Sequence, residues 1–127
     1  MNGETNIDFG LAWICVGLIA GAPLALGFVR AAWLGGYASL ERRLLRLAHV
    51  ACVMLGALNV VFGMLVRDMP AQDVPGPVVE RSLIAGAVLM PLVLVAGVRF
   101  RRALWALPLP FTLFTGGAVA LYCSRMT

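Results

Sequence analysis

Four long apolar runs divide the chain, and arginine borders each of them. The first extends from Phe9 to Val29 and stops at Arg30; the second, Leu47 to Val66, lies between Arg46 and Arg67. The third, Ser82 to Val98, lies between Arg81 and Arg99, and the fourth, Ala103 to Cys123, follows Arg102. A helix needs ~20 apolar residues to cross the hydrocarbon of a bilayer, and each run is near that length. The pattern therefore predicts an all-α chain, an integral membrane four-helix bundle forming a single transmembrane domain. Its spans cover about 9–29, 47–66, 82–98 and 103–123.

Inside the second run the polar and small residues are not scattered. His49, Cys52, Gly56, Asn59 and Gly63 follow one another in steps of three and four, the spacing of a single helix face. An amide exposed to lipid costs several kcal/mol, so this face must turn toward another helix or a neighbouring chain, where Asn59 finds a partner. Small residues serve the same end, because helices already surrounded by hydrocarbon associate through close backbone approach rather than apolar burial. Helix 1 offers Gly17, Gly21 and Ala25 at four-residue steps, helix 2 offers Gly56 and Gly63, and helix 4 offers Thr112, Gly116 and Ala120. Gly17, Gly21, Gly56, Gly63 and Gly116 are thus expected at packing interfaces, within the chain or with a second one.

The connections have patterns of their own. In "SLERRLLRL", residues 39–47, Ser39 is placed as an N-cap and Leu40, Leu44 and Leu47 recur on one face, so helix 2 is expected to begin near Leu40. Arg42, Arg43 and Arg46 would then reach lipid phosphates. The segment "RDMPAQDVPGPVVER", residues 67–81, holds three prolines and a glycine and is expected to be extended or turned rather than helical.

Composition places the chain in a membrane. Of 127 residues, 61% are hydrophobic and only 13% charged, and the mean hydropathy is +0.93, outside the range of soluble domains. All ten basic residues are arginine, and they lie at the span borders instead of forming a nucleic-acid-binding surface. Arg30, Arg42, Arg43 and Arg46 stand against Glu41 in one connection, and Arg99, Arg101 and Arg102 stand unopposed in another. By the positive-inside rule both connections face the cytoplasm, which puts both termini on the outer, periplasmic side of a bacterial inner membrane. The segment before the first run carries Glu4 and Asp8 and no basic residue, unlike the start of a signal peptide, and is expected to remain as part of the first span. Trp13, Trp33, Trp105 and Tyr122 lie near span borders and are expected as interfacial anchors.

Candidate chemistry is sparse. His49 is the only histidine; a neutral imidazole can ligate haem b or hydrogen-bond a quinone, with Cys52 and Asn59 on the same face to shape the pocket. A low-spin haem would need a second ligand, from a methionine such as Met54 or Met90 or from another subunit. Cys15, Cys52 and Cys123 fall in separate runs without a CxxC pair and are expected as small buried residues. Asp68, Asp73 and Glu80 lie near Met64 and Met69, but carboxylates and thioethers suit different metals, and Arg67 and Arg81 are at hand to pair the acids, so no metal site is expected. The spans hold no charged residue in their interior, and neither H-E-x-x-H nor G-x-S-x-G occurs. The chain resembles small multidrug resistance exporters in length and helix count, but it lacks the helix 1 glutamate of that family.

The segment "SLERRLLRLAHVACVMLGALNVVFG" resembles one found in small uncharacterised bacterial four-helix membrane proteins, with a basic RRLLRL, a histidine and a downstream G-x-L-N. It covers about a fifth of the chain. The resemblance implies the four-span architecture and a shared role for His49 and Asn59. Together these features lead to a non-catalytic small integral membrane subunit, a packing or assembly accessory of a larger inner-membrane complex, respiratory or electron-transferring. Two alternatives stand beside it: a haem- or quinone-binding redox module using His49, and an oligomeric channel or carrier for a neutral solute lined by Asn59, Thr112 and Thr115. The partners expected are the lipid bilayer with other membrane subunits or further copies of the chain, and no nucleic acid.

Overall fold

A computed structural model describes residues 3–70 and 73–126. Among the described residues the chain is helical, without strands. Its α-helices are α1 (Glu4–Val29), α2 (Leu40–Arg67), α3 (Pro77–Arg99) and α4 (Pro108–Met126), joined partly by 3-10 turns at Trp33–Gly35 and Arg101–Ala106. Four helical segments are long and apolar enough to cross a membrane, the last counted from Arg101 through the turn into α4.

Local chemistry explains most boundaries. The Ser39 hydroxyl accepts the Arg42 backbone N–H at 3.3 Å, and α2 starts at Leu40 as its capping pattern predicts. The stretch 67–81 is less irregular than its prolines suggest, because α3 begins at Pro77. A proline in the first turn lacks an N–H that the helix could not have used, so Pro77 starts a helix instead of blocking one. The same holds for α4, which begins at Pro108, five residues after the start of the fourth apolar run, while Arg101–Ala106 form the tighter turn. At the other end of the chain α1 reaches back to Glu4, taking in Asn6 and Asp8. An acidic residue in the first turn is favoured by the positive end of the helix dipole. Pro23 and Pro91 lie inside α1 and α3, positions that helices tolerate in lipid because neighbouring groups take up the freed carbonyls.

Sequential helices pack side by side, α1 on α2, α2 on α3 and α3 on α4, while α1 and α3 barely touch. The buried apolar core lies between the two central helices and α4: Leu44, Ala48 and Leu94 toward one end, Leu83, Ala87 and Phe114 toward the other. α1 contributes little to it. Its buried residues are Asn6, Gly10 and Gly17, and it turns Leu11, Leu18, Ile19 and Leu26 outward.

The α1–α2 seam is held by backbone proximity. A Cβ added at Gly10 would lie 2.5 Å from the carbonyl oxygen of Gly56, and one at Gly56 would lie 3.0 Å from that of Gly10. Gly3 meets Gly63 in the same way, and Gly17 abuts Val53 and Cys52. The close-approach positions of α1 are therefore Gly3, Gly10 and Gly17 at seven-residue steps, not the four-residue series beginning at Gly17, although Gly21 does face α2. Seven-residue spacing keeps a seam in register along two left-handed crossing helices. The within-chain contact expected of Gly116 requires a correction. It is exposed, with open space around its α-carbon, and its neighbour Gly117 makes the intrachain contact, against Ser82 and Leu83. The four-residue series Thr112, Gly116, Ala120 is thus turned away from α3.

Candidate functional site

The polar stripe of α2 faces α1 along its whole length. Asn59 is fully buried; the Asn6 amide donates to its Oδ1 at 2.8 Å, and its own Nδ2 donates to the Leu55 carbonyl at 2.9 Å. The partner demanded by an amide on so apolar a helix is therefore Asn6, itself only 4% exposed. Cys52 is buried with its Sγ 3.5 Å from the Trp13 carbonyl oxygen, a weak donor at the limit of bonding. Trp13 is no interfacial anchor: its indole N–H crosses to the Ala87 carbonyl of α3 at 3.1 Å, while its ring stacks on Phe9. Cys15 and Cys123, by contrast, are exposed on the outer surfaces of α1 and α4, since neither falls on a contact face.

Beyond Trp13 the seam opens. α1 and α3 diverge over α2 and leave a cleft of about 340 Å³, walled by Pro23 on α1, Ala48, His49 and Cys52 on α2, and Pro91 and Val95 on α3. Of its lining side chains only Trp13, His49 and Cys52 carry a heteroatom. The first and last are engaged with backbone carbonyls. The imidazole is what remains. Its Cε1 edge points at Gly21, where an added Cβ would come within 2.8 Å, so the absent side chain is what admits the ring beneath α1. His49 Nδ1 is buried and has no hydrogen-bond partner. A buried polar atom left unpaired costs ~1–3 kcal/mol, and such an atom calls for an explanation. On the other flank of the ring a second crevice of about 280 Å³ opens between α1 and α2, reaching Phe28, Arg46 and Val50.

The arginines at this end divide into different roles. Arg42 does not reach phosphate; it is 1% exposed and lies within the α1–α2 connection. Its Nε donates to the Trp33 carbonyl at 2.6 Å, and its Nη2 donates to the carbonyls of Arg30 and, at 3.1 Å, Ala31. The guanidinium also lies 5.8 Å from the ring centroids of both Phe28 and Trp33. The reason is local: the connection just past α1 gathers the carbonyls of Arg30, Ala31 and Trp33 near the negative end of the helix dipole, and a planar five-donor cation fits them. Leu34, at φ 50°, and Gly36, at φ 96°, give the connection the left-handed turns that bring these carbonyls together. Arg43 is exposed and Arg46 half-buried.

Other sequence expectations find no common site. Asn59 lies between α1 and α2, whereas the Thr112 and Thr115 hydroxyls donate to carbonyls of their own helix, those of Leu109 and Phe111. Within one chain the three line no shared path. Met54 is exposed, and Met90 packs against the Leu44–Ala48–Leu94 cluster, so neither joins His49 in the cleft. Among the described residues no group of metal-ligating side chains forms, and the one ion pair is Glu41 with Arg101 at 3.6 Å, not Arg67 or Arg81 with Asp68, Asp73 or Glu80.

Sequence reasoning missed Asn6 and Trp13, although a signal was present. Gly3, Asn6, Gly10, Trp13 and Gly17 repeat the three-four stepping of His49 to Gly63, and the two stripes are the two halves of one antiparallel seam. No family model, curated protein or solved structure was found to match the chain.

Proposed function

We propose that the chain is a small, non-catalytic membrane module that holds a lipophilic ligand with a hydrogen-bonding head, of quinone type, in the cleft beside His49. It would do so as a subunit of a larger respiratory or electron-transfer assembly of the bacterial inner membrane. The observation that carries this reading is the cleft itself: an apolar slot open to the side, with the unpaired His49 imidazole in its wall; no ring nitrogen faces the slot in this conformation, so binding requires the ring to turn about its side-chain bonds. Its volume of about 340 Å³ is that of a small-molecule pocket, in which apolar walls supply contact and a few polar groups set orientation. A neutral imidazole has one N–H to donate to a quinone carbonyl and one lone pair to accept from a quinol hydroxyl. A ligand dissolved in lipid could enter between α1 and α3 without crossing water. The short connections between helices, leaving little mass outside the membrane, suit an accessory subunit. The arginine-rich connections support an orientation with both termini outside. Haem is the weaker form, because the cleft offers His49 no second axial ligand.

The test uses Trp13, which lines the cleft, as its reporter. In a Trp33→Phe, Trp105→Phe background in detergent micelles, decylubiquinone should quench the Trp13 emission saturably. His49→Leu should weaken the binding about fivefold or more, the loss of one hydrogen bond of ~1 kcal/mol. Linear, unsaturable quenching that is identical in both proteins would remove the quinone-type site. A Soret band in the purified protein that vanishes in His49→Ala would replace the quinone by haem.

A further inference from the structure

The crevice on the opposite flank of His49 has a different character from the cleft. It lies at the arginine-bordered end of the α1–α2 pair, between Gly21, Ala25 and Phe28 on α1 and Arg46 and Val50 on α2. The small residues Gly21 and Ala25 leave a crevice of about 280 Å³ against α2, and Arg46 is the one charged residue that lines it. Arg46 is held in place without an anion: its guanidinium lies 5.8 Å from the Phe28 ring centroid and 5.3 Å from that of Tyr37. Among the described residues no carboxylate pairs with it, and Glu41, the acid in this connection, is taken by Arg101. Arg30, Arg42 and Arg43 add positive charge nearby. A cation stacked between aromatic rings, at the border of an apolar groove and without a counter-ion, is complementary to an anionic amphiphile.

We infer that this crevice is a binding site for one anionic phospholipid of the surrounding bilayer, with a phosphate oxygen on Arg46 and an acyl chain between α1 and α2 against Ala25 and Val50. The crevice shares Leu24 and His49 with the cleft, but the site rests on Arg46, which does not line the cleft, and so does not depend on the ligand proposed there. The net charge of the lipid matters: phosphatidylglycerol answers the surplus arginine charge, whereas phosphatidylcholine brings its own cation.

Native mass spectrometry of the full chain, released from micelles doped with equal phosphatidylglycerol and phosphatidylcholine, tests this. The wild-type protein should retain one phosphatidylglycerol in preference to phosphatidylcholine. Arg46→Gln should lower that retention about fivefold, one arginine's share of the attraction to an anionic headgroup. Val50→Trp, at an exposed position, fills the crevice without altering charge and should lower it too. Arg43→Gln, on the exposed side of α2 and outside the crevice lining, should lower it less than Arg46→Gln does. Equal retention of the two lipids would overturn the inference. So would an Arg43→Gln loss as large as that of Arg46→Gln, an unaffected Val50→Trp, or displacement of the lipid by millimolar inorganic phosphate, which would show an anion site indifferent to the acyl chain. Should Arg46→Gln fail to fold, Val50→Trp decides alone.

Discussion

Substituting alanine at Gly10 and at Gly116 applies one chemical change to two environments that differ only in tertiary contact. In either helix the methyl group removes backbone freedom from the unfolded chain and raises helix propensity, a gain of ~1 kcal/mol. At Gly116 nothing lies within 4 Å of the added Cβ, so that gain should appear almost undiminished. At Gly10 the Cβ would lie 2.5 Å from the Gly56 carbonyl oxygen and 2.9 Å from the Val60 nitrogen. Both are backbone atoms of α2 and cannot rotate away. Relief requires the two helices to separate by roughly 1 Å to restore ordinary contact distance. The separation also stretches the Asn6–Asn59 hydrogen bond at 2.8 Å. Overpacking of this kind costs ~1–3 kcal/mol, which cancels or exceeds the propensity gain. Gly10→Ala should therefore be less stable than Gly116→Ala by about 1–3 kcal/mol. Unfolding by sodium dodecyl sulfate in mixed micelles, followed by far-ultraviolet circular dichroism, measures the difference. Equal midpoints for the two variants would refute the backbone-contact account of the seam.

Three further outcomes follow from the same contacts. A double-mutant cycle on Asn6 and Asn59 to alanine should give a coupling of about 0.6–1.7 kcal/mol in that unfolding assay, the range for interhelical hydrogen bonds in membranes; zero coupling would deny the pair. Arg42→Gln should destabilise by about 1–3 kcal/mol because it removes the buried guanidinium donors that tie the Arg30, Ala31 and Trp33 carbonyls together, Arg42→Lys should fail to restore the loss, and Arg43→Gln should stay close to wild type. In a cysteine-free background expressed in a bacterial inner membrane, an impermeant maleimide should label Val78→Cys in intact cells and Tyr37→Cys only after permeabilisation, both positions being 76% exposed; the reverse pattern would invert the orientation.

How far the site could be read in advance depended on the kind of signal. Asn59 announced that it was buried, because an amide in hydrocarbon has one affordable environment. That its partner is Asn6 was encoded only as a matching rhythm in a segment whose polar residues, Glu4, Asn6 and Asp8, placed it before the span. Arg42 was misread for a comparable reason. Its neighbours Arg43 and Arg46 share its composition, and which of three arginines turns inward depends on where the α1 carbonyls end, a fact of the turn at Leu34 and Gly36. The glycines behave alike: Gly116 and Gly117 are adjacent and chemically identical, and the rotation of α4 about its axis decides which one meets α3.

The sequence by itself determined that the chain consists of four apolar helices with arginine at their borders, because hydropathy and charge act residue by residue against the bilayer and need no partner to do so. Only the tertiary structure decided the cleft beside His49 and the pairing of the two polar stripes. Both arise from the separation and rotation of helices that are already satisfied in their own backbones. In lipid those quantities are set by the shape of small residues across a seam, which no single stretch of the chain contains.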